Sequence, residues 1–345
     1  MPRSCWPEGH PPAMKFAIIG SYGHRNFLLD SLSKLPEGKL VAAALWGDDD
    51  PLADVLRKYP DGQIDVPIYD DYRRMLDEAH PDVVGVFMPL HRLAEASIEA
   101  AQRGCHILSE KPLATTLADL ETLRGAVARA GVEIRACFNL RGLPAFQAAR
   151  QAVQAGRIGT PILAFGQKSY PFADRDKFFA SRETYGGTIP WCAIHAIDFV
   201  SWCCGRDYAR AAALHSNAAH PSHPGMEDNG GLLLEFQGGG TAVITFDYLR
   251  PWANEKHWSW GDDRLRIAGS EGIVEVVDEG SRCVLLTPAG REELPLPDER
   301  DLLEDFVAFL RMGSQPLVTS AESFRATEVA LKARDAADSR RMVDL

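Results

Sequence analysis

A lysine between a buried strand and a proline is the residue of this chain best suited to chemistry. Lys111 follows the apolar run 105–108 and precedes Pro112, within the sequence Ser-Glu-Lys-Pro-Leu. Proline disfavours the helical region for the residue before it, which predicts an extended backbone at Lys111. Ligands of α/β proteins bind at the carboxyl ends of the strands. An ammonium group held there could stabilise an anionic oxygen, or accept a proton if its pKa is lowered.

A histidine and an aspartate three residues apart mark a second stretch with chemical potential. Residues 186–198 open with two glycines, and Pro190 suits the first position of a helix. Four side chains are expected on one face of that helix, at spacings of four, three and four: Trp191, His195, Asp198 and Trp202. Because histidine changes charge near neutral pH, His195 is a candidate proton carrier. A buried structural histidine is the alternative.

The turn after the first predicted strand has the position of a dinucleotide-binding loop. Its sequence is Gly20-Ser21-Tyr22-Gly23-His24-Arg25, and it opens a predicted helix. The strict Gly-x-Gly-x-x-Gly pattern is absent, since Tyr and Arg occupy the second and third glycine positions. Gly23 could provide the close approach to a pyrophosphate after a shift of one residue. A simple strand-to-helix turn remains the alternative.

An acidic residue at the end of the second strand should hold the adenosine ribose of such a cofactor. Asp48 is the candidate, although Trp46 is an equally suitable strand end. Three consecutive aspartates, 48–50, are followed by no Lys or Arg until Arg57. This negative charge would repel a 2′-phosphate, so NAD is expected rather than NADP.

Strands and helices alternate along the first part of the chain, from Met14 to about residue 140. Short apolar runs predict strands at 16–19, 40–45, 68–70, 83–87, 105–108 and 133–138. The segments between them predict helices at 24–35, 51–59, 71–79, 91–103 and 116–130. Continuous apolar runs are typical of strands covered on both faces, so we expect a doubly wound parallel sheet.

The pattern changes after Asn139. Helices are predicted at 144–156, 300–311 and 321–339, and β-rich stretches at 161–170, 230–237, 241–249, 263–268, 272–277 and 282–287. These elements indicate an α+β domain with a large, mostly antiparallel open sheet and helices on one face. The expected organisation is a disordered leader at 1–13, a dinucleotide-binding domain at 14–138 and a substrate-binding and oligomerisation domain at 139–345. The last helix is a candidate to pack back on the first domain.

Composition excludes several classes of function. The formal net charge is −11, which disfavours a broad nucleic-acid-binding face and gives no attraction to anionic membranes. No apolar run approaches the ~18 residues of a membrane helix. Seven scattered cysteines without Cys-x-x-Cys spacing suit a reducing, cytoplasmic compartment and no structural zinc. The histidines and acids of 215–228 are irregularly spaced among prolines, so no metal site is expected.

These motifs together resemble the glucose–fructose oxidoreductase / inositol dehydrogenase family (Gfo/Idh/MocA), over nearly all of residues 14–345. The marks of the resemblance are Glu110-Lys111-Pro112, Pro89-x-His91, Asn139-x-Arg141, Gly156-Arg-Ile-Gly159, Gly186-Gly187 with His195-x-x-Asp198, Arg266-Ile-Ala-Gly-Ser-Glu-Gly272 and Ala326-Thr327-Glu328. The resemblance implies an N-terminal Rossmann domain and a C-terminal domain with an open sheet. It also implies hydride transfer between a nicotinamide and a sugar, cyclitol or related hydroxyl.

The resemblance also assigns expected roles to individual residues. Lys111 and His195 become the candidate acid/base pair, with either one able to act as the base. The cofactor-binding candidates are Gly20, Tyr22, Gly23, His24, Asp48, Pro89, His91, Glu110 and Lys111. The substrate-side candidates are Arg141, Lys168, Trp191, Asp198 and His257. The family carries an Asp four residues before the His, where this chain has Trp191, so Asp198 is a possible substitute or a structural residue.

Two alternative functions stay open at this point. Some relatives are NAD-dependent glycosidases, in which transient oxidation permits elimination without net NADH. The departures in the glycine loop and at Trp191 also allow a catalytically inactive NAD-binding regulator. In either case a homodimer or homotetramer through the C-terminal sheet is expected by analogy.

Overall fold

The structure is a computed structural model that describes residues 13–59, 64–251 and 261–345. It contains two compact units. The first comprises Met1–Cys137 and Asp301–Phe324, and the second comprises Phe138–Arg300 and Arg325–Leu345. Of the predicted leader at 1–13, all but Ala13 lies outside the described residues, and so does His257. The segment 301–324, expected in the second domain, belongs to the first unit.

The first unit is built on six parallel strands. They are β1 (Met14–Ile19), β2 (Gly38–Ala44), β3 (Ile68–Tyr69), β4 (Val83–Val86), β5 (His106–Ser109) and β6 (Ile134–Ala136). The helices between them are α1 (Asn26–Leu32), α2 (Leu52–Arg57), α3 (Tyr72–Ala79), α4 (Leu93–Gln102) and α5 (Leu117–Ala130). The strand order β3-β2-β1-β4-β5-β6 confirms the predicted doubly wound sheet.

Local sequence explains where these helices begin and end. The side chain of Asp71 accepts a hydrogen bond from the backbone N–H of Arg73 at the start of α3. Thr116 does the same for Asp119 at the start of α5. Such N-caps satisfy amide groups that have no partner within the helix. Gly131, in the left-handed region at a φ of 66°, ends α5.

The second unit is built on nine strands. They are β7 (Pro161–Pro171), β8 (Tyr208–Ser216), β9 (Asn229–Phe236), β10 (Thr241–Arg250), β11 (Asp262–Gly269), β12 (Ile273–Val277), β13 (Arg282–Thr287), β14 (Gly290–Glu293) and β15 (Val343–Asp344). Their order is β14-β13-β12-β11-β7-β10-β9-β8-β15. All neighbours are antiparallel except β7 and β10, so the predicted mostly antiparallel sheet is confirmed.

The described residues contain further helices. They are α6 (Pro144–Gln154), α7 (Arg182–Tyr185), α8 (Ile194–Cys204), α9 (Leu302–Met312) and α10 (Ser320–Ser339). A π-helical turn, Ile189–Ala193, leads directly into α8. Helices α6 and α8 pack on one face of the nine-stranded sheet. No helix among the described residues has the length and apolar character required to cross a membrane.

A glycine allows α8 to approach the sheet closely. Gly166 of β7 lies on the buried face, and a Cβ there would be 2.7 Å from Cγ2 of Val200 in α8. Real Cβ atoms do not come that near, and Val200 is fully buried with little room to move. The close packing of α8 on β7 therefore requires glycine at position 166, where the side chain is a single hydrogen atom.

We expect Gly166→Ala to destabilise the protein by about 1–3 kcal/mol, because overpacking forces α8 or β7 to shift. The urea unfolding midpoint, followed by circular dichroism, measures the change. Gly47→Ala is the matched control, since no atom lies within 4 Å of a Cβ at that position. An unchanged midpoint for Gly166→Ala would show that the contact relaxes at no cost.

Candidate functional site

The loop after β1 is fixed by backbone contacts with two neighbouring strands. Gly20, at a φ of 75°, donates its N–H to Ala44 O at 2.9 Å. Tyr22 N–H donates to Phe87 O, also at 2.9 Å. A Cβ at position 20 would lie 2.3 Å from Phe87 O, so only glycine fits. The loops that follow β1 and β4 therefore meet backbone to backbone.

A fully buried carboxylate holds the other end of the same loop. Glu110, which follows β5, accepts a hydrogen bond from the backbone N–H of His24 at 3.0 Å. The Nδ1 atom of His24 lies 2.8 Å from both carboxylate oxygens. A Cβ at position 23 would be 2.8 Å from that carboxylate. Gly23 therefore makes room for Glu110, a contact that the sequence did not reveal.

Charge and burial compete at Glu110. Burial raises the pKa of its carboxyl, but His24 and Lys111 lower it, and the pKa lies below the ordinary value. The Nζ atom of Lys111 is 3.8 Å from Glu110 Oε1, and its side chain is 1% exposed. Burial raises the pKa of the nearby Cys137 thiol well above the usual range, and the charge of Glu110 acts in the same direction. The Lys111–Pro112 peptide is cis. The first unit thus holds the lysine beside a negative charge.

The aspartates after β2 have different environments. Asp48 is exposed in the turn, while Asp50 is buried. Asp50 accepts hydrogen bonds from Ser21 Oγ at 2.5 Å, from Trp46 N–H at 3.0 Å and from Leu52 N–H at 3.1 Å. Burial raises the pKa of Asp50, and these hydrogen bonds oppose that effect. Asp50 therefore ties the glycine loop to the turn after β2, a role that sequence inspection missed.

The segment after β4 supplies two further cofactor candidates. Pro89 is buried and precedes a 3-10 turn, Leu90–Arg92, in which His91 is exposed. Arg92 donates from Nη1 to Trp46 O at 2.6 Å, which links this turn to the loop after β2. Candidates from the loops after β1, β2, β4 and β5 are thus gathered at the carboxyl ends of the parallel strands.

These loops fit a dinucleotide. The strand order runs outward in opposite directions from β1 and β4, which defines a topological switch point. Gly20 and Gly23 both have positive φ there, and Gly23 is exposed to solvent. Gly23 adds no side chain to this exposed part of the loop, so a phosphate can approach the backbone there. The aspartates 48–50, of which two are exposed, favour ribose hydroxyls over a 2′-phosphate.

In the second unit, His195 lies in the first turn of α8. The preceding residues, including Trp191, form a π-helical turn, so the predicted regular α-helical spacing from Trp191 to His195 is wrong. Such π-bulges occur often at functional sites. His195 is 2% exposed and meets the ring of Phe138 edge-on at 6.3 Å. Trp191 instead meets Phe179, at 6.0 Å.

The start of this helix is anchored by a buried glutamate. Thr188 donates its backbone N–H to Glu227 Oε2 at 2.8 Å and its hydroxyl to Glu227 O at 2.6 Å. Arg182 forms an ion pair with the same carboxylate. Arg334 donates from Nη1 to Gly186 O at 2.9 Å. The predicted glycine pair is thus a turn fixed from two sides, and this fixes where α8 begins.

Two substrate-side candidates pair with each other. Arg141 donates to both oxygens of Asp198, at 3.0 Å from Nε and 2.6 Å from Nη2. Both residues are buried, and the guanidinium of Arg141 also lies over the ring of Trp202. A two-point ion pair of this kind is strong and directional. It fixes α8 to the segment before α6, which is the structural alternative that the sequence left open for Asp198.

Lys168 also has an acidic partner, which the sequence did not reveal. Its Nζ lies 2.6 Å from Asp263 Oδ2, because Lys168 of β7 and Asp263 of β11 are paired across the sheet. The same ammonium lies over the ring of Tyr170 at 4.5 Å. Burial raises the pKa of Asp263, and Lys168 opposes that effect. The two residues are too far apart in sequence for spacing to have suggested the pair.

The histidine-containing segment 215–228 forms a hydrogen-bonded loop around one carboxylate. Asp228 accepts from the backbone N–H groups of Ala218, Ala219 and His220, at 2.5–3.1 Å. Within the described ranges, no group of three or more His, Cys, Asp or Glu side chains is arranged to hold a metal ion.

Comparison with known proteins identifies the family. The profile described as "Oxidoreductase family, NAD-binding Rossmann fold" matches residues 14–138, and the "GFO/IDH/MocA C-terminal domain" profile matches residues 146–275. The chain belongs to the GFO/IDH/MocA family. The resemblance inferred from its motifs is therefore confirmed, and the protein is an oxidoreductase with an NAD-binding Rossmann domain.

Individual relatives cover most of the chain. A solved structure from Thermotoga maritima, described as a candidate oxidoreductase, has a TM-score of 0.91 and 33% identity, covering 96% of this chain and 100% of its own. D-apiose dehydrogenase of Paraburkholderia graminis is 28% identical over 280 residues, 75% of this chain and 71% of that protein. The scyllo-inositol 2-dehydrogenase (NAD(+)) of Bacillus subtilis is 24% identical, covering 76% of this chain and 78% of its own.

The carboxylate of Glu110, which contacts both His24 and Lys111, gives a stability prediction with a defined pH dependence. We expect Glu110→Gln to destabilise the protein by about 1.5–3 kcal/mol at pH 7, because charged hydrogen bonds to His24 are lost. Since the folded pKa of Glu110 lies below its ordinary value of 4.5, the wild-type advantage is complete above that pH. It should shrink as the pH falls through the folded pKa.

Urea unfolding midpoints of both proteins, measured between pH 7 and the lowest pH at which each folds, check this trend. His80→Asn is the control variant. It replaces an exposed histidine of the same unit, and asparagine tolerates the left-handed backbone at that position. A wild-type advantage that grows on acidification would contradict the assigned sign.

Proposed function

We propose that this family member oxidises a hydroxyl of a sugar, a cyclitol or a related polyol, or reduces the corresponding carbonyl. Relatives named D-apiose dehydrogenase and scyllo-inositol 2-dehydrogenase support this substrate class. We further propose that residues 14–138 bind the cofactor and that 139–345 supply the substrate side. The observation that carries the proposal is Lys111, buried beside Glu110 among the loops that suit a dinucleotide.

Oxidation of a hydroxyl requires an acceptor for a hydride and an acceptor for a proton. The carbinol carbon loses a hydride and its hydroxyl loses a proton, so a side chain near the oxygen must accept that proton. NAD, when bound, supplies the hydride acceptor. We propose that His195 carries the proton and that Lys111 stabilises the developing alkoxide. In the reverse direction, His195 returns the proton to the oxygen.

Burial of both side chains supports these roles. His195 is 2% exposed and Lys111 is 1% exposed, so neither interacts mainly with bulk water. Electrostatic stabilisation of an oxyanion is strongest where water is excluded. Glu110 keeps a negative charge near Lys111, which favours the ammonium form and hence the anchoring role over the role of base.

The other candidates divide into direct and indirect roles. We propose that Trp191 forms an apolar wall for a sugar ring and that Lys168 contributes to hydroxyl recognition. Arg141 and Asp198 already bind each other through two hydrogen bonds, so we propose that they position α8 and thereby His195. For the cofactor we propose contacts from Gly20, Tyr22, Gly23, Asp48, Pro89 and His91.

Replacing the proposed anchor should abolish most turnover and leave the cofactor bound. We expect Lys111→Ala to lower kcat by about 10²- to 10⁴-fold, with the NAD dissociation constant changed far less. His195→Ala should cost about as much, and the double variant little more, because residues that serve one transition state are not additive. Absorbance of NADH in a screen of polyols and sugar acids measures turnover, and calorimetry measures NAD binding.

Lys332→Ala, which alters a partly exposed lysine of α10, is the matched control. Full turnover by Lys111→Ala would remove the assigned role. Cleavage of a glycoside by the NAD-loaded protein without net NADH would instead support the elimination chemistry of the glycosidase alternative. Tight NAD binding with no turnover of any substrate would support an inactive regulator.

We propose that the protein self-associates through the open face of the nine-stranded sheet. Leu163 of β7, Leu233 of β9 and Leu214 of β8 lie in that sheet, in which β10 separates β7 from β9, and are 44%, 47% and 68% exposed. Their register places Leu233 opposite Val243, which is itself opposite Phe165. An apolar stripe of this kind usually marks an interface. A homodimer or homotetramer is the expected assembly.

A charge in this stripe should weaken the assembly. We expect Leu233→Asp to shift the protein towards the monomer by at least tenfold in dissociation constant, because a carboxylate would be buried without a partner. Light scattering after size-exclusion chromatography, over a dilution series, measures the shift. Leu296→Asp, at a 44% exposed leucine outside the strands, is the control. An equal response of both variants would exclude the sheet face as the interface.

We also propose a reducing, cytoplasmic location. The six cysteines within the described ranges are buried free thiols. Burial raises the pKa of several of them, including Cys137 and Cys203. Thiols of this kind suit a structural role in a reducing compartment.

A further inference from the structure

Arg175, in the loop after β7, carries a guanidinium that is not paired with a carboxylate of any described residue. Its one hydrogen-bond acceptor there is Pro171 O, which accepts from Nη2 at 3.2 Å. Nε is buried without an acceptor, whereas Nη1 is accessible. By contrast, Arg182 of the same unit forms an ion pair with Glu227. The hydrogens on Nη1 of Arg175 are therefore donors without an acceptor in the described part of the chain.

Three aromatic rings hold this guanidinium. Its central carbon lies 4.5 Å from the ring centre of Tyr248, 5.3 Å from that of Phe179 and 5.9 Å from that of Phe172. Tyr248 and Phe179 are each 1% exposed, and the hydroxyl of Tyr248 lies 2.9 Å from that of Tyr185. A guanidinium that stacks on aromatic faces keeps its N–H edge for an acceptor in its own plane. The rings therefore hold the cation without using its hydrogen-bond donors.

A strained turn brings Arg175 back over the end of β7. The strand ends at Pro171, and Ala173 has a φ of 52°, in the left-handed region that disfavours a residue with a Cβ. This reversal lets Nη2 of Arg175 return to Pro171 O. Strain of this kind persists where surrounding contacts compensate for it, and it is frequent at ligand sites. The turn gives Arg175 a defined position although the residue belongs to a loop.

One ring separates this guanidinium from the proposed apolar wall of the substrate site. The ring of Phe179 contacts Arg175 and also meets Trp191 edge-on, with ring centres 6.0 Å apart at an angle of 78°. Arg175 and Trp191 thus share Phe179 as a neighbour. An acidic group on a sugar ring that packs on Trp191 would therefore lie on the side of the guanidinium.

A second cation proposed for the substrate side is already paired. The Nζ atom of Lys168 lies 2.6 Å from Asp263 Oδ2. The ammonium also lies over the ring of Tyr170, which stacks with Tyr248 at 6.4 Å. Lys168 and Arg175 thus flank a stacked pair of tyrosines. Of these two cations, the lysine has a carboxylate partner within the described ranges and the arginine has none.

We infer that Arg175 binds a carboxylate of the substrate and that the substrate is a sugar acid. The inference rests on the proposed function, because it names the substrate class of the same site. A guanidinium binds a carboxylate through two parallel hydrogen bonds, which Nη1 and the second hydrogen of Nη2 can donate here. Asp174 and Asp176 flank Arg175 in the sequence and are exposed. They would repel a doubly charged phosphate more than a singly charged carboxylate, so a carboxylate is favoured.

The test compares sugar acids with neutral analogues of the same shape. Uronates and aldonates, each beside its primary amide, are titrated by calorimetry into the NADH-loaded protein, in which a hydroxyl compound binds without being oxidised. We expect at least one acid to bind about tenfold more tightly than its amide, because hydrogen bonds between charged groups are stronger than neutral ones. Arg175→Gln should weaken binding of that acid by about tenfold and change binding of the amide by less than about twofold.

Two further variants separate charge, geometry and general damage to the fold. Arg206→Gln is the matched control, since Arg206 lies over the ring of Phe236 at 5.1 Å and donates to Pro161 O at 2.8 Å, at the other end of β7. It should keep the full preference for the acid. Arg175→Lys keeps the charge but loses the two-point geometry, so it should retain part of the preference.

Three results overturn the inference. In the first, every acid binds no more tightly than its amide. In the second, the preference survives in Arg175→Gln; if that variant does not fold, an unchanged affinity of Arg175→Lys for the acid counts equally. In the third, a sugar phosphate binds more tightly than the matching acid and loses this advantage in Arg175→Gln, which would assign the guanidinium to phosphate.

Turnover separates this inference from the proposed function. If both hold, Arg175→Gln raises KM for the acid and leaves kcat nearly unchanged, because the carboxylate is bound equally in the ground state and the transition state. A preference for acids that depends on Arg175, without NADH production from any compound, would support the inferred contact and reject the proposed function. Oxidation of neutral polyols at the same kcat/KM by wild type and Arg175→Gln, without a preference for acids, would do the reverse.

Discussion

The buried charge of Glu110 is the constraint on which the first unit's site depends. A carboxylate with no exposure is costly unless it is paired and hydrogen-bonded. His24 and Lys111 provide that compensation, and the pKa of Glu110 lies below its ordinary value in spite of burial. The loops after β1 and β5 are therefore one electrostatic unit. A change in either loop alters the charge beside the lysine.

This arrangement explains why the glycine loop departs from the usual pattern. Tyr22 gives its N–H to Phe87 O, and His24 gives its N–H to Glu110. These two N–H groups are committed to the protein, and Tyr22 is the residue at the second glycine position of the usual pattern. Glycine is retained only where backbone or carboxylate comes too close for a Cβ, at Gly20 and Gly23.

The fold was more predictable than the side-chain partners. Apolar runs and turn residues located all six strands of the first sheet and most of the second, because burial on one or both faces leaves a periodic trace. Strand β8 was missed because it contains four alanines and no β-branched residue, and β14 because it is fully exposed. The π-turn before α8 was missed because proline and apolar spacing suit a regular helix equally well.

Partners across long sequence separations left no such trace. Asp263 lies 95 residues from Lys168, and Asp198 lies 57 residues from Arg141. Sheet register and helix packing bring these pairs together, so no spacing rule along the chain could reveal them. Motif resemblance marked Lys111 and His195 as candidates, since the family retains those residue types at fixed places in its elements. Motif resemblance could not show which carboxylate lies beside a given lysine or arginine.

The tryptophan at position 191 changes the chemistry that the remaining residues must perform. Family members with an aspartate there place a carboxylate near the histidine, which helps to polarise it. The described acidic residues nearest to this part of the chain are already engaged, Asp198 by Arg141 and Glu227 by Arg182 and Thr188. The ring of His195 meets the ring of Phe138 edge-on. In the proposed mechanism, a fixed cation beside the substrate oxygen supplies electrostatic stabilisation that does not depend on a carboxylate at position 191. With tryptophan at position 191, the proposed mechanism therefore relies on Lys111, which lies beside Glu110, and His24 donates hydrogen bonds to that carboxylate.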